Sequence, residues 1–360
     1  MNWKRIAVKI GSNVLTRDDG TLDVTRMSSF VDQVAALRKM GIEVVLISSG
    51  AVASGRSELG EEVAEKLDSV ERRQLFSAVG QAKLINRYYE FFREHRLAVG
   101  QVLTMKENFS TRRHYLNQRQ CMEVMLAAGV IPIVNENDTV SVTELMFTDN
   151  DELSGLIATM LRVDALIILS NIDGVFTGPP SDESSQLIAE VQPDADLSQY
   201  ITAERSGFGR GGMLTKCNIA RKVAEEGIEV IIARGTRADV LTQLADDITA
   251  VPCTRFVASP TPTSTFKRWI AHSAGFAKGT VTVNDEAARL LLSQRPVSLL
   301  PVGVTAISGS FEKDDLVNVA RADGSVIGVG RVSCDSTTAQ HDMGHHDCRP
   351  LIHYDYLYID

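Results

Sequence analysis

The sequence predicts an α/β fold, a mainly parallel open sheet sandwiched by helices, followed by a small, mainly β domain. Three observations carry this. Short apolar runs alternate with helix-like segments as far as about residue 250. Several of those runs are preceded by a glycine that would end the helix before it. Past residue 255 the pattern changes to short strand-like runs separated by turn residues.

The strands of the first part fall at 6–10, 42–47, 98–103, 130–134, 165–169 and 228–233, with helical periodicity over 26–40, 70–95, 115–128, 151–161 and 214–226. The joins Met40-Gly41-Ile42, Ala128-Gly129-Val130 and Glu226-Gly227-Ile228 are the expected punctuation between helix and strand. Ser259-Pro260-Thr261-Pro262-Thr263-Ser264-Thr265 reads as a linker, so domains are expected at 1–256 and 276–360 with 257–275 between them. In the second, strand-like runs lie at 279–283, 302–308, 316–320 and 326–332, with a short helix-like segment at 286–294. Ala322-Asp323-Gly324-Ser325 has the composition of a hairpin turn.

Composition narrows the function classes. The chain has 360 residues, 44% hydrophobic and 23% charged, ordinary values for a globular protein with core enough to fold unaided. A net charge of −9 argues against general affinity for nucleic acid or anionic membranes, although a local basic cleft remains compatible with a small anion. No signal-type or transmembrane-length apolar run is found, and a cytoplasmic location is expected. The five cysteines are odd in number, widely spaced and without a C-x-x-C pair, which favours reduced thiols over a disulfide framework or zinc site. Four histidines gather in the tail (His341, His345, His346 and His353), but the adjacent pair lacks ordinary ligand spacing.

The chemistry is expected beyond the carboxyl ends of the strands, where ligands bind in open α/β sheets. Lys9 lies inside Ile6-Ala7-Val8-Lys9-Ile10 and is followed by Gly11-Ser12. A lysine buried there needs an anion, although a lysine reaching out to water from an edge strand reads equally well. Ser48-Ser49-Gly50-Ala51 follows the second strand with small residues whose N–H groups can face an anion at a helix start. Two acid-amide clusters, Asn135-Glu136-Asn137-Asp138 and Thr148-Asp149-Asn150-Asp151, exceed what helix capping needs, and such groups can fix an ammonium or order water around magnesium. The glycine-rich run from Gly207 to Lys216 formally contains G-x-G-x-x-G. No hydrophobic strand precedes it, and Cys217 follows Lys216 where a P-loop has Ser or Thr. It reads as a flexible loop that leads a lysine into a helix, suited to closing over phosphates, with a plain mobile loop as the alternative.

Together these segments resemble the amino acid kinase family, and within it the branch that phosphorylates the side chain of glutamate. The resemblance rests on Val8-Lys9-Ile10-Gly11-Ser12-Asn13-Val14-Leu15, Ser48-Ser49-Gly50-Ala51, Ala78-Val79-Gly80-Gln81, Asn135-Glu136-Asn137-Asp138, Asp149-Asn150-Asp151 and Gly211-Gly212-Met213-Leu214-Thr215-Lys216, in the family's order. The region from Phe276 looks like the PUA domain that bacterial members carry.

The resemblance implies ATP-dependent phosphorylation of the L-glutamate side-chain carboxylate to γ-glutamyl phosphate, the first step of proline biosynthesis, with Mg2+ accompanying ATP. It implies catalytic roles for Lys9, Lys216 and Asp151, the acid organising the two lysines. Ser49, Asp138 and Asn150 match glutamate-binding positions. ATP is expected against Lys9, Ser170, Asn171, Arg210, Gly211, Gly212, Met213, Leu214, Thr215 and Lys216, and no residue is assigned as a metal ligand. Asn171 stands where members commonly have aspartate, and Gly178-Pro179-Pro180 replaces a common Asp-Pro-Arg. Assembly as a homo-oligomer (dimer or tetramer), inhibition by proline and coupling to glutamate-5-semialdehyde dehydrogenase are further family expectations. RNA binding is not expected, because residues 276–360 carry seven Lys/Arg against eleven Asp/Glu. A substrate carboxylate is ionised at neutral pH, so the absence of an obvious catalytic His or Cys agrees with this chemistry.

Overall fold

The computed structural model describes residues 3–109, 112–140, 150–182, 184–193, 195, 212–260, 277–293, 297–346 and 348–359, except the side chains of 64, 107, 112 and 113. The chain divides into two compact units, Met1–Lys106 with Arg119–Pro262, and Glu107–Gln118 with Thr263–Asp360. Most of the segment 257–275 lies outside the described residues.

The first unit is built on β1 (Arg5–Ile10), β2 (Glu43–Ser48), β3 (Val99–Thr104), β4 (Ile131–Glu136), β5 (Ala165–Ser170), β6 (Glu190–Val191), β7 (Glu229–Arg234) and β8 (Cys253–Phe256). Among the described residues they form one sheet in the order β3-β4-β2-β1-β5-β7-β8-β6. Pairing is parallel from β3 through β7, and β8 turns antiparallel against β7. The alternation predicted the parallel part; the short β6 and β8 were not foreseen. Each foreseen strand except β1 extends one or two residues past its apolar run, which carries Ser48, Glu136 and Ser170 into the sheet's carboxyl edge.

β1 lies at the centre, with Lys9 level with Ile47 of β2 and Ile168 of β5. Alternation splits its side chains. Ile6, Val8 and Ile10 enter a core with Phe30 and Val34 of α2 (Val24–Lys39), Leu84 and Tyr88 of α4 (Ser69–Glu94) and Leu241 and Leu244 of α8 (Val240–Asp246). Lys9 points to the other face, toward α6 (Asn150–Leu161) and α7 (Met213–Glu225).

The helix ends obey local rules. Gly41, Gly129 and Gly227 all adopt positive φ, from 75° to 83°. At each one the following residue's N–H returns to a carbonyl five residues back, as in Ile42 to Leu37, Val130 to Met125 and Ile228 to Val223. α4 starts in a capping box between Asp68 and Glu71. It crosses α3 (Ala51–Leu59) so closely that a Cβ on Gly55 would overlap the Phe76 carbonyl, and one on Gly80 the Ala51 carbonyl.

In the second unit β9 (Gly279–Val283), β10 (Val304–Gly309), β11 (Leu316–Ala320), β12 (Val326–Arg331) and β13 (Leu357–Ile359) form a separate sheet in the order β10-β9-β11-β12-β13. It packs with α9 (Asp285–Leu291) and α10 (Ser336–Asp342) around Val281, Phe311, Val319 and Ile352. The expected hairpin turn is present: Gly324 has φ +86° and the Arg321 N–H donates to the Ser325 carbonyl. α10 and β13 were not foreseen.

Candidate active site

Lys9, Asp151 and Lys216 come from three elements and meet at one point. Lys9 Nζ lies 2.5 Å from Asp151 Oδ1, and Lys216 Nζ lies 3.0 Å from Asp151 Oδ2. Lys9 is 5% exposed and Asp151 1%, so Lys9 does not reach out to water. Burial alone would push the Asp151 carboxyl up, but the two ammonium groups outweigh it and hold that carboxyl below the usual carboxylate range. The convergence has a packing cause. Asp151 is in the first turn of α6, and one turn on Gly155 lets α7 come close, since a Cβ there would sit 2.9 Å from Ile219. That approach brings Lys216, in the first turn of α7, to the carboxylate.

A second polar group adjoins it at the ends of β2 and β4. Asn150 Nδ2 donates to Ser49 Oγ at 2.9 Å and to Asn135 Oδ1 at 3.4 Å. Asn135 Nδ2 donates to Gln81 Oε1 at 2.8 Å, and its Oδ1 accepts the Glu136 backbone N–H. A backbone N–H can only donate, so it fixes the orientation of the Asn135 amide and, through it, of Asn150. Ser49 then accepts from Asn150 and keeps its own proton to donate. Asp138, 6% exposed, receives Arg73 through both Nε, at 2.8 Å, and Nη2.

Ser170 ends β5, with its hydroxyl 3.2 Å from the exposed Asn171 side chain and its carbonyl accepting the Gly235 N–H. Gly212 caps α7, and Met213, Leu214, Thr215 and Lys216 form its first turn. Arg210, Gly211, Thr148 and Asp149 lie outside the described residues. The structure therefore brings Lys9, Asp151 and Lys216 into one cluster and Ser49 and Asn150 into another, with Asp138 two residues past β4.

Arg73, Ser77 and Gln81 were not singled out one by one. They recur every fourth residue on α4, and each touches Asp138 or Asn135. The signal was available: a polar stripe at i, i+4, i+8 within a helix that otherwise buries Phe76, Leu84, Tyr88 and Phe92.

A central parallel sheet whose carboxyl edge gathers two lysines around one buried acid defines a phosphoryl-transfer type of α/β protein, and the comparisons agree. The model of the amino acid kinase family matches residues 4–234, and that of the PUA domain matches residues 279–351. The chain belongs to the amino acid kinase family. A glutamate 5-kinase from Bacteroides thetaiotaomicron is 64% identical over 358 residues, 99% of this chain and 99% of that protein. One from Chlorobaculum tepidum is 48% identical over 359 residues, 99% of this chain and 98% of its own. The carbamate kinase from Giardia lamblia bound to AMP-PNP shares the fold at 15% identity, with a TM-score of 0.54 over 72% of this chain and 99% of that one.

Proposed function

We propose that this chain transfers the terminal phosphoryl group of ATP to the side-chain carboxylate of L-glutamate, giving γ-glutamyl phosphate and ADP, the reaction that opens proline biosynthesis. The observation that carries the proposal is the buried Asp151 with an ammonium group on each of its oxygens. Transfer between two anions needs positive charge at the phosphoryl oxygens, held in place before the reaction begins.

In this reading Lys9 and Lys216 stabilise the phosphoryl group in transit, and Asp151 fixes both without touching it. The glutamate carboxylate is already ionised and needs no general base. The Ser49 hydroxyl donates to a substrate oxygen, and the Asn150 side-chain carbonyl, which the amide network does not use, accepts from the substrate. Asp138 receives the ammonium. The nucleotide lies against Ser170, Asn171 and the 210–216 segment.

Among the described residues no three His, Cys, Asp or Glu side chains gather to hold an ion, and Asp151 is already engaged by two lysines. A magnesium ion held chiefly by ATP phosphate oxygens fits such a site, and when bound it neutralises phosphate charge. The acyl phosphate product is a labile mixed anhydride, so a reductase forming the semialdehyde would consume it. Assembly into a dimer or tetramer and feedback by proline complete the proposal. No described helix is long and apolar enough to cross a membrane, and we place the enzyme in the cytoplasm.

The test is a hydroxamate assay with ATP and magnesium, comparing glutamate, N-acetylglutamate and aspartate. Glutamate should give product and the other two little. Product from N-acetylglutamate alone would overturn the reading.

A further inference from the structure

We propose that Arg73 is a positioning residue of the substrate site, which aims Asp138 at the substrate ammonium and supplies the counter-charge that keeps Glu136 and Asp138 ionised side by side. The inference rests on the reading of Asp138 as the ammonium acceptor. Glu136 ends β4 and Asp138 lies two residues later in the turn that follows. They meet the same guanidinium: Arg73 Nη2 is 3.1 Å from Glu136 Oε2 and also contacts Asp138 Oδ1, which Nε holds at 2.8 Å. The carboxylates are only 4% and 6% exposed.

Two buried carboxylates sharing a site repel, and one of them takes up a proton unless a cation lies between them. A protonated Asp138 would lose its attraction for an ammonium group. The planar fork of arginine also sets direction, because Nε and Nη2 both hold the same oxygen of Asp138, Oδ1. α4 holds the neighbourhood from two further points. Ser77 Oγ lies 3.5 Å from Asp138 Oδ2, and Gln74 Nε2 donates to the Thr139 carbonyl at 3.0 Å.

The experiment compares steady-state kinetics of the full chain with Arg73→Gln, Arg73→Lys and the double variant Arg73→Gln/Glu136→Gln, reading each melting temperature alongside. Arg73→Gln should raise KM for glutamate roughly 10- to 100-fold, the size of a lost charge-assisted contact, with KM for ATP within about twofold. Glu136→Gln in the same chain should recover at least about threefold, because Asp138 then no longer faces a second carboxylate. Arg73→Lys should fall between, keeping charge without the fork. A double variant no better than Arg73→Gln, or equal rises in both KM values, would mean that Arg73 only fastens α4 to the sheet, and would overturn the proposal. If Arg73→Gln does not fold, Arg73→Met with and without Glu136→Gln gives the same comparison, since methionine also removes the charge. A wild-type chain whose ATP turnover ignores glutamate would remove the substrate reading itself, and the proposal with it.

Discussion

Replacing Asp151 with asparagine keeps the shape of the side chain and removes the charge between the two lysines. Its contacts of 2.5 and 3.0 Å are each worth about 6 kcal/mol in gross attraction at an effective dielectric near 20, most of it offset by desolvation. Breaking a buried pair by neutralising one partner costs about 3–5 kcal/mol net, because the remaining charge stays buried. In a unit of this size that lowers Tm by roughly 6–20 °C. The lysines would also repel and drift from the phosphoryl position, so kcat should fall by about two to three orders of magnitude. The acidic limb gives a further check. The folded Asp151 carboxyl titrates below its ordinary value of 3.8, so its stabilisation is fully present above that value and is lost as pH falls through the folded pKa. The stability gap between wild type and Asp151→Asn should therefore be flat above about pH 4 and shrink below it. Purified Asp151→Asn with near-normal kcat, or a gap that widens in acid, would refute this account of the cluster.

Lys9→Ala and Lys216→Ala should each lower kcat by about two orders of magnitude or more in the hydroxamate assay; near-normal turnover in both would remove their roles. Asp138→Asn should raise KM for glutamate far more than KM for ATP, and equal effects on the two would contradict ammonium binding. Gly80→Ala should force α3 away from α4, costing about 1–3 kcal/mol and several degrees in thermal melting. An unchanged Tm would show that the two helices do not cross as closely as the Ala51 carbonyl implies.

The parallel sheet was legible because its strands are uninterrupted aliphatic runs and its helices stop at glycines such as Gly41 and Gly129, where backbone geometry leaves little choice. β8 was not legible. Cys253–Phe256 is four residues with Thr254 and Arg255 inside, and it is a strand because β7 offers an edge to pair with. α10 was hidden for a similar reason: seven polar-rich residues, held by an Asp335 cap and the burial of Ala339, lack a helical stripe. In the site, Lys9 was conspicuous as a charge within an apolar run, and Asp151 as an acid beyond what capping needs. Their meeting was not visible in the sequence alone, since it depends on Gly155 admitting α7. Arg73 does not stand out in the sequence, because an arginine on a long amphipathic helix is ordinary until the opposing carboxylates are known.

α4 carries Arg73, Ser77, Gln81 and Tyr88, whose hydroxyl lies 2.8 Å from Ser48 Oγ. From Arg73 to Tyr88 the helix runs about 22 Å without a break, so these contacts share one phase. Inserting a single residue between them would rotate everything on one side by about 100° relative to the other. A substitution in this stretch disturbs the contact it touches, whereas a change of length between Arg73 and Tyr88 would put all of these contacts out of phase at once.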